Sequence, residues 1–258
     1  MASLYTGVPT AAQSPSPAPS ADGAPILSLP SDGDAANAAS IAQAFKALAD
    51  FSAWSTGMGA GVSSNYFFSD DFPGPAVNTV SVWTQTLSGA GAITDVADAG
   101  ANGSARLASG AGSANLSIPV DNLGTKDFRL RCKVKASALG SGATTGDEIA
   151  FYVGGTHQVG LIIRGDLGAP THWYATDNDG GLHTFDSGVV GVGSSYQILE
   201  IQRVAGTTNW LIAGSVVHTD STSRDLGTGN GKVNLYAGAS AGSSVPYFDW
   251  VKMWISQA

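Results

Sequence analysis

The residue pattern with the most chemical content in this 258-residue chain is a row of bases on one predicted strand. In Phe128-Arg-Leu-Arg-Cys-Lys-Val-Lys-Ala136, apolar residues alternate without a break with Arg129, Arg131, Lys133 and Lys135. A strand with that pattern has one oily face and one basic face. The basic face is either simply solvated or meets a partner, an acidic protein surface or an anionic polysaccharide, through contacts that weaken with salt. A second candidate is His172-Trp173-Tyr174, followed by Asp177 and Asp179. Exposed rings beside carboxylates suit sugar recognition, because a ring face packs on the apolar face of a pyranose; the alternative is that Trp173 and Tyr174 fill a core or an interface. Asp177-Asn178-Asp179-Gly180 is rich in oxygen donors that could hold calcium, but the distant Glu of a complete calcium loop is missing and the run reads first as a turn. His157, His172, His183 and His218 show no metal-ligand spacing. No metal, no cofactor and no catalytic constellation is expected.

The segments that would carry these residues are short and separated by turns. Ile149–Val153, Val159–Ile163, Tyr196–Arg203, Asn209–His218 and Lys232–Ala237 read as strands beside 128–136, and His172 to Tyr174 falls near a loop or strand edge. Gly140-Ser-Gly142, Gly154-Gly155, Asn178-Asp-Gly180, Ala205-Gly-Thr-Thr208 and Gly227–Gly231 supply the turns. Tyr247–Ile255 has large residues on both faces, as a central strand covered on both sides would. Trp83, Trp210, Trp250 and Trp254 read as core, and the lone Cys132, on the apolar side of its strand, as a small buried hydrophobe that leaves no intrachain disulfide. Many strands without alternating helices predict an antiparallel two-sheet sandwich over residues 64–258.

The first 63 residues differ in kind. Residues 1–30 contain six of the eleven prolines and one charge, Asp22, which predicts an extended arm that takes a fixed shape only against another molecule. Ser31, Asp32 and Asp34 then offer capping groups to an alanine-rich helix over 31–57, with Ile41, Ala44, Leu48 and Phe51 on one face and Phe45 beside them. Gly57, Gly59 and Gly61 stop it. That stripe could join copies at a symmetry axis or dock on the chain's own sandwich. Residues 31–63 thus form a helix and glycine linker, a candidate trimerisation element.

Composition narrows the partners. Charged residues are only 12% of the chain and the net charge is −8, with eight acids and one base in residues 1–105. No clustered excess of bases suits nucleic acid or a membrane surface. The start, MASLYTGVPTAAQ, has neither a basic region nor an apolar stretch of the secretory kind, so synthesis in the cytoplasm is expected.

Three stretches of the β zone resemble the concanavalin A-like lectin/glucanase jelly roll. Phe67-Phe-Ser-Asp-Asp-Phe72 resembles the entry to its first strand, with Trp83 following. Ala105-Arg-Leu107 with Ala114-Asn-Leu-Ser117 resembles its next hairpin. Tyr247-Phe-Asp-Trp-Val-Lys-Met-Trp254 resembles its final strand, which in that family returns beside the first. The glucanase branch places two glutamates and an aspartate on one strand in an E-x-D-x-x-E arrangement. The matching strand here, Gly146-Asp-Glu-Ile-Ala-Phe-Tyr-Val153, has Glu148 followed by Ala150 and Tyr152, and one carboxylate cannot serve as both partners. The resemblance therefore implies the fold, and the expectation is a protein that is not an enzyme.

The arm and the run Leu27-Ser-Leu-Pro-Ser-Asp-Gly-Asp-Ala-Ala-Asn-Ala-Ala-Ser-Ile41 resemble the start of tailed-bacteriophage virion proteins such as head fibres, decoration proteins and tail-fibre-like proteins. That resemblance implies a structural virion component, attached to other capsid or tail proteins by residues 1–30, homotrimeric, and displaying its jelly roll outward. The alternative is a carbohydrate-binding adhesin that reads a host surface glycan.

Overall fold

The computed structural model describes residues 64–72, 83–96, 103–120, 123–227 and 230–256. The expected arm over 1–30 and helix over 31–57, with Ile41, Ala44, Phe45, Leu48 and Phe51, lie outside the described residues. Within them the chain is all β, two antiparallel sheets packed as a sandwich.

The eight-stranded sheet is built on β15 (Val245–Ser256). One edge of β15 pairs with β6 (Phe128–Ala138). Its other edge takes β4 (Ser104–Ala108) at Tyr247 and Phe248, and β1 (Ser64–Asp70) further along. The last strand therefore does lie beside the first. Beyond β6 the sheet continues through β11 (Gln197–Val204), β12 (Thr207–Ile212) and β13 (Ser215–Asp220); beyond β4 it ends at β3 (Ala92–Val96). The seven-stranded sheet runs β10 (Leu182–Val190), β9 (His172–Asn178), β8 (Gln158–Arg164), β7 (Glu148–Gly154), β14 (Lys232–Ala239), β5 (Gly112–Pro119) and β2 (Thr84–Gly89).

Period-two alternation explains the core. Leu130, Cys132 and Val134 of β6, Ile149, Phe151 and Val153 of β7, Val159, Leu161 and Ile163 of β8 and Val233, Leu235 and Ala237 of β14 all point inward and are buried together. At one end, Asp70 ties the entry segment: its carboxylate accepts from the Phe72 backbone N–H at 2.8 Å and from Trp83 Nε1 at 2.7 Å, while Trp83 stacks on Phe72. At another, the buried guanidinium of Arg203 donates to the carbonyls of Lys126, Gly124 and Arg224, closing two loops.

Two sequence expectations change. Residues 209–218 form two strands rather than one, because Ala213 and Gly214 both adopt positive φ (50° and 82°) and reverse the chain in a two-residue turn. Ala105–Leu107 and Ala114–Ser117 are not a hairpin: β4 and β5 belong to different sheets, so the chain crosses the sandwich between them.

Candidate functional site

A sandwich has two outer faces, and the seven-stranded sheet carries the more open chemistry on its own. The residues of β7 that alternate with its core set are Glu148, Ala150 and Tyr152, and they point outward. Strand register extends that face sideways. Thr184, Thr176, Gly160, Tyr152, Asn234, Ser117 and Thr84 are paired in turn across all seven strands. At about 4.8 Å per strand, this uncharged row is roughly 29 Å long. The parallel row beside it runs Asp186, Tyr174, Ile162, Ala150, Tyr236, Asn115 and Thr86. Ala150, Ile162 and Tyr174, with Tyr152 and Tyr236 packed against them, form an apolar cluster separate from the sandwich core.

Where these rows meet β7 and β8 there is a cleft of about 160 Å³, lined by Glu148, Tyr152, Gln158, Ile162, Thr176, Asn178 and Leu182. Gly160 lies between two of its walls. A Cβ there would stand 2.7 Å from the Cβ of Tyr152 and 3.0 Å from Oγ1 of Thr176, so only glycine lets the two side chains close in. Burial among these groups pushes the half-buried Glu148 carboxyl up to about 7; Arg164 pulls it down and Asp166 pushes it further up. Burial likewise pushes the Tyr152 phenol up to about 12, helped by the Glu148 charge. The cleft thus presents a carboxyl that changes state near neutrality, one phenol and three neutral hydrogen-bonding side chains beside apolar Ile162 and Leu182.

Asp147, next to Glu148, faces the opposite way and anchors this end of β7. It accepts from Thr144 N at 3.0 Å, Thr144 Oγ1 at 3.1 Å, Ser240 N at 2.9 Å and Ser240 Oγ at 3.1 Å. Burial alone would raise its pKa, but those bonds outweigh it and hold the carboxyl below its ordinary value.

The residues singled out from sequence lie elsewhere. Trp173 is 1% exposed, its ring in the sandwich core and its Nε1 donating to Gln197 Oε1 at 2.7 Å, so it offers no face to a sugar. Strand alternation explains the correction: β9 turns Trp173, Ala175 and Asp177 inward. Tyr174 does belong to the outer face, yet it is buried in the apolar cluster and its hydroxyl accepts from Ala169 N at 2.8 Å. Asp177 is buried with its Oδ2 2.7 Å from Arg224 Nε, and Asp179 pairs with the same guanidinium, which stands where a cation would have to sit. Among the described residues no group of three or more His, Cys, Asp or Glu side chains could hold a metal ion.

The basic stripe of β6 lies on the outer face of the other sheet, and its charges are engaged. Glu200 takes Arg129 at 2.6 Å and Arg131 at 2.9 Å, Asp249 takes Lys133 at 2.6 Å, and Lys135 lies 4.3 Å above the Tyr247 ring and 5.2 Å above that of Tyr196. Arg131 is buried. The stripe is a braced array, not a bare one.

Sequence reasoning noticed Glu148 and Tyr152 only as failures to match a catalytic pattern and Asn178 only as part of a turn, and passed over Tyr236, Asn234, Thr176 and Gln158. Their signal is the outward half of each alternation, masked because alanine, glycine and tyrosine between core residues read as continuous burial.

No protein-family model and no curated protein matches this sequence. Solved structures do match its fold. One, from work on endo-acting O-glycanases that human gut bacteria use to initiate mucin breakdown, has a TM-score of 0.56 at 12% identity, over 76% of this chain and 100% of that one. A glycoside hydrolase family 16 enzyme from Bacteroides ovatus, solved with a mixed-linkage glucan product, gives 0.53 at 14% identity over 72% and 99%. A carbohydrate esterase from a Shiga toxin-encoding bacteriophage gives 0.55 at 10% identity over 76% and 100%. The expectation of a protein that is not an enzyme is corrected by these neighbours, among which glycoside hydrolases recur: the sandwich is one on which glycan-cleaving enzymes are built, and a single unmatched catalytic pattern does not set the chain apart from them. The described residues have the concanavalin A-like, glucanase-type jelly-roll fold.

Proposed function

We propose that this chain binds a neutral glycan laid across the outer face of the seven-stranded sheet. The observation that carries the reading is the uncharged row from Thr184 to Thr84, with Tyr152 and the Glu148 cleft near its middle. Hydroxyls and amides spaced at strand intervals suit the repeating hydroxyls of an extended saccharide, and half-buried phenol rings supply the apolar contact that a pyranose face needs. The fold neighbours support it, since those proteins are described as acting on mucin O-glycans and mixed-linkage glucan.

The test is a glycan array probed with the full chain and with Tyr152→Ala. Loss of a ring contact of about 0.5–1.5 kcal/mol, beyond the area it covers, should weaken binding roughly 3- to 10-fold or more. Equal binding by both proteins would show that the row is not the site. A reducing-sugar release assay on any bound glycan then reads whether Glu148 also supports turnover.

The residues ahead of the sandwich add a second part to the proposal: residues 1–30 attach the chain to other proteins of a bacteriophage capsid or tail, residues 31–63 join three copies, and the glycan face is carried on the particle. The proline-laden leader with its single charge favours it, and a phage carbohydrate esterase is among the fold neighbours. A chain lacking residues 1–30 should stay folded but fail to join particles. Normal incorporation of that truncated chain would refute the attachment.

A further inference from the structure

We infer that the cleft takes its ligand with Glu148 in the neutral form, its carboxyl donating a hydrogen bond to a glycan oxygen, so that the site empties as the medium turns alkaline. This rests on the glycan-binding reading above and adds a regulation to it. The surroundings of the carboxyl carry the inference. Across β8 its register partner is Arg164, but that guanidinium is turned to Asp166, with Nε 2.6 Å and Nη2 3.1 Å from the two carboxylate oxygens. Across β14 its partner is Gly238, which has no side chain, and the next outward group there is the Tyr236 phenol. On β7 itself the next outward groups are Ala150 and the Tyr152 phenol. Arg164 at the end of β8, Asp166 in the turn after it, Tyr152 on β7 and Tyr236 on β14 are thus the titratable groups around it, and the cation among them is already committed to another carboxylate.

Among the described residues the Glu148 carboxyl makes no hydrogen bond and no ion pair. The outward group beside it on β8 is the apolar side chain of Ile162. A neutral ligand that fills the cleft strips water from this carboxyl and brings no cation, which disfavours the charged form. The acid is already half protonated at about pH 7 in the free protein. Covering it raises its proton affinity further, and by linkage protonation must then strengthen binding. Affinity is full below neutrality and falls above it, by up to about tenfold per pH unit until the pKa of the bound state is reached.

The experiment is a printed panel of neutral and acidic oligosaccharides that includes the mixed-linkage glucan tetrasaccharide, probed with the full chain at pH 5.5 and 8.5. The strongest neutral binder is then titrated between those limits by calorimetry. The expected result is a Kd that rises at least about tenfold over that range for the natural chain. Glu148→Gln, whose amide donates at every pH, should lose the pH dependence. Asp166→Asn, which frees Arg164 to stabilise the carboxylate, should move the midpoint to lower pH. An affinity that is flat or rises with pH overturns the inference and leaves glycan binding standing. So does an unchanged pH dependence in Glu148→Gln, which would assign it to another group. If no glycan binds at either pH, the glycan-binding reading itself fails, and this one with it.

Discussion

Arg203 makes the most quantitative case for how the sandwich is held. Its guanidinium is buried, lies 5.2 Å from the Phe128 ring centre, and donates to Lys126 O at 2.7 Å, Arg224 O at 2.8 Å and Gly124 O at 2.8 Å. Burial lowers its pKa to about 10, so it is still charged at neutral pH. Arg203→Leu keeps the apolar stem and strands two carbonyls, those of Lys126 and Arg224, since Gly124 O still accepts from Leu226 N at 2.9 Å. An unsatisfied buried acceptor costs about 1–3 kcal/mol, and since these loops lie near the surface the lower end applies, about 2 kcal/mol in all. For a domain of this size each kcal/mol moves Tm by about 2–4 °C, so a fall of roughly 4–8 °C is expected by calorimetry or near-ultraviolet circular dichroism. Hydrogen exchange should quicken first around residues 123–126 and 224–227. Arg203→Lys, with one donor group in place of three, should recover only part. A Tm fall under about 2 °C for the leucine variant would refute the view that one side chain closes both loops.

Three further outcomes follow from the geometry. Asp147 has a depressed pKa, so its stabilisation is present above the ordinary carboxylate range and is lost as pH falls through the folded-state value; Asp147→Asn should flatten that acid limb and cost about 1–2 kcal/mol at pH 7 in urea melts. Trp173→Ala should destabilise by about 3–5 kcal/mol while leaving the glycan affinity of the molecules that remain folded unchanged, because its ring is core. Gly160→Val should push the Tyr152 side chain aside and weaken glycan binding in the array, with a loss of thermal stability that a mere surface change would not cause.

The sandwich was legible because alternation is a local signal. Phe128–Ala136 announced its two faces residue by residue, and Tyr247–Ile255 announced burial on both. The site was not legible for two physical reasons. The row from Thr184 to Thr84 exists only through pairing between segments far apart in sequence, and no single segment of it looks unusual. Direction also matters: a shift of one position along β9 separates Trp173, which faces the core, from Tyr174, which faces out, and a short segment read as a loop edge gives no phase. Charge misled in the same way. Asp177 and Asp179 look like ligands until Arg224, forty-odd residues on, is brought between them.

The central position of β15 has a consequence for how the molecule comes into being. It is the last of the described strands to leave the ribosome, yet it supplies one hydrogen-bonded edge to each of β6, β4 and β1. Until it arrives, β6 exposes an unpaired backbone edge beside Leu130, Cys132 and Val134, a template for pairing with another nascent chain. Non-local closure of this kind is slow. Chains cut short before residue 245 would be expected to aggregate instead of yielding a smaller soluble core.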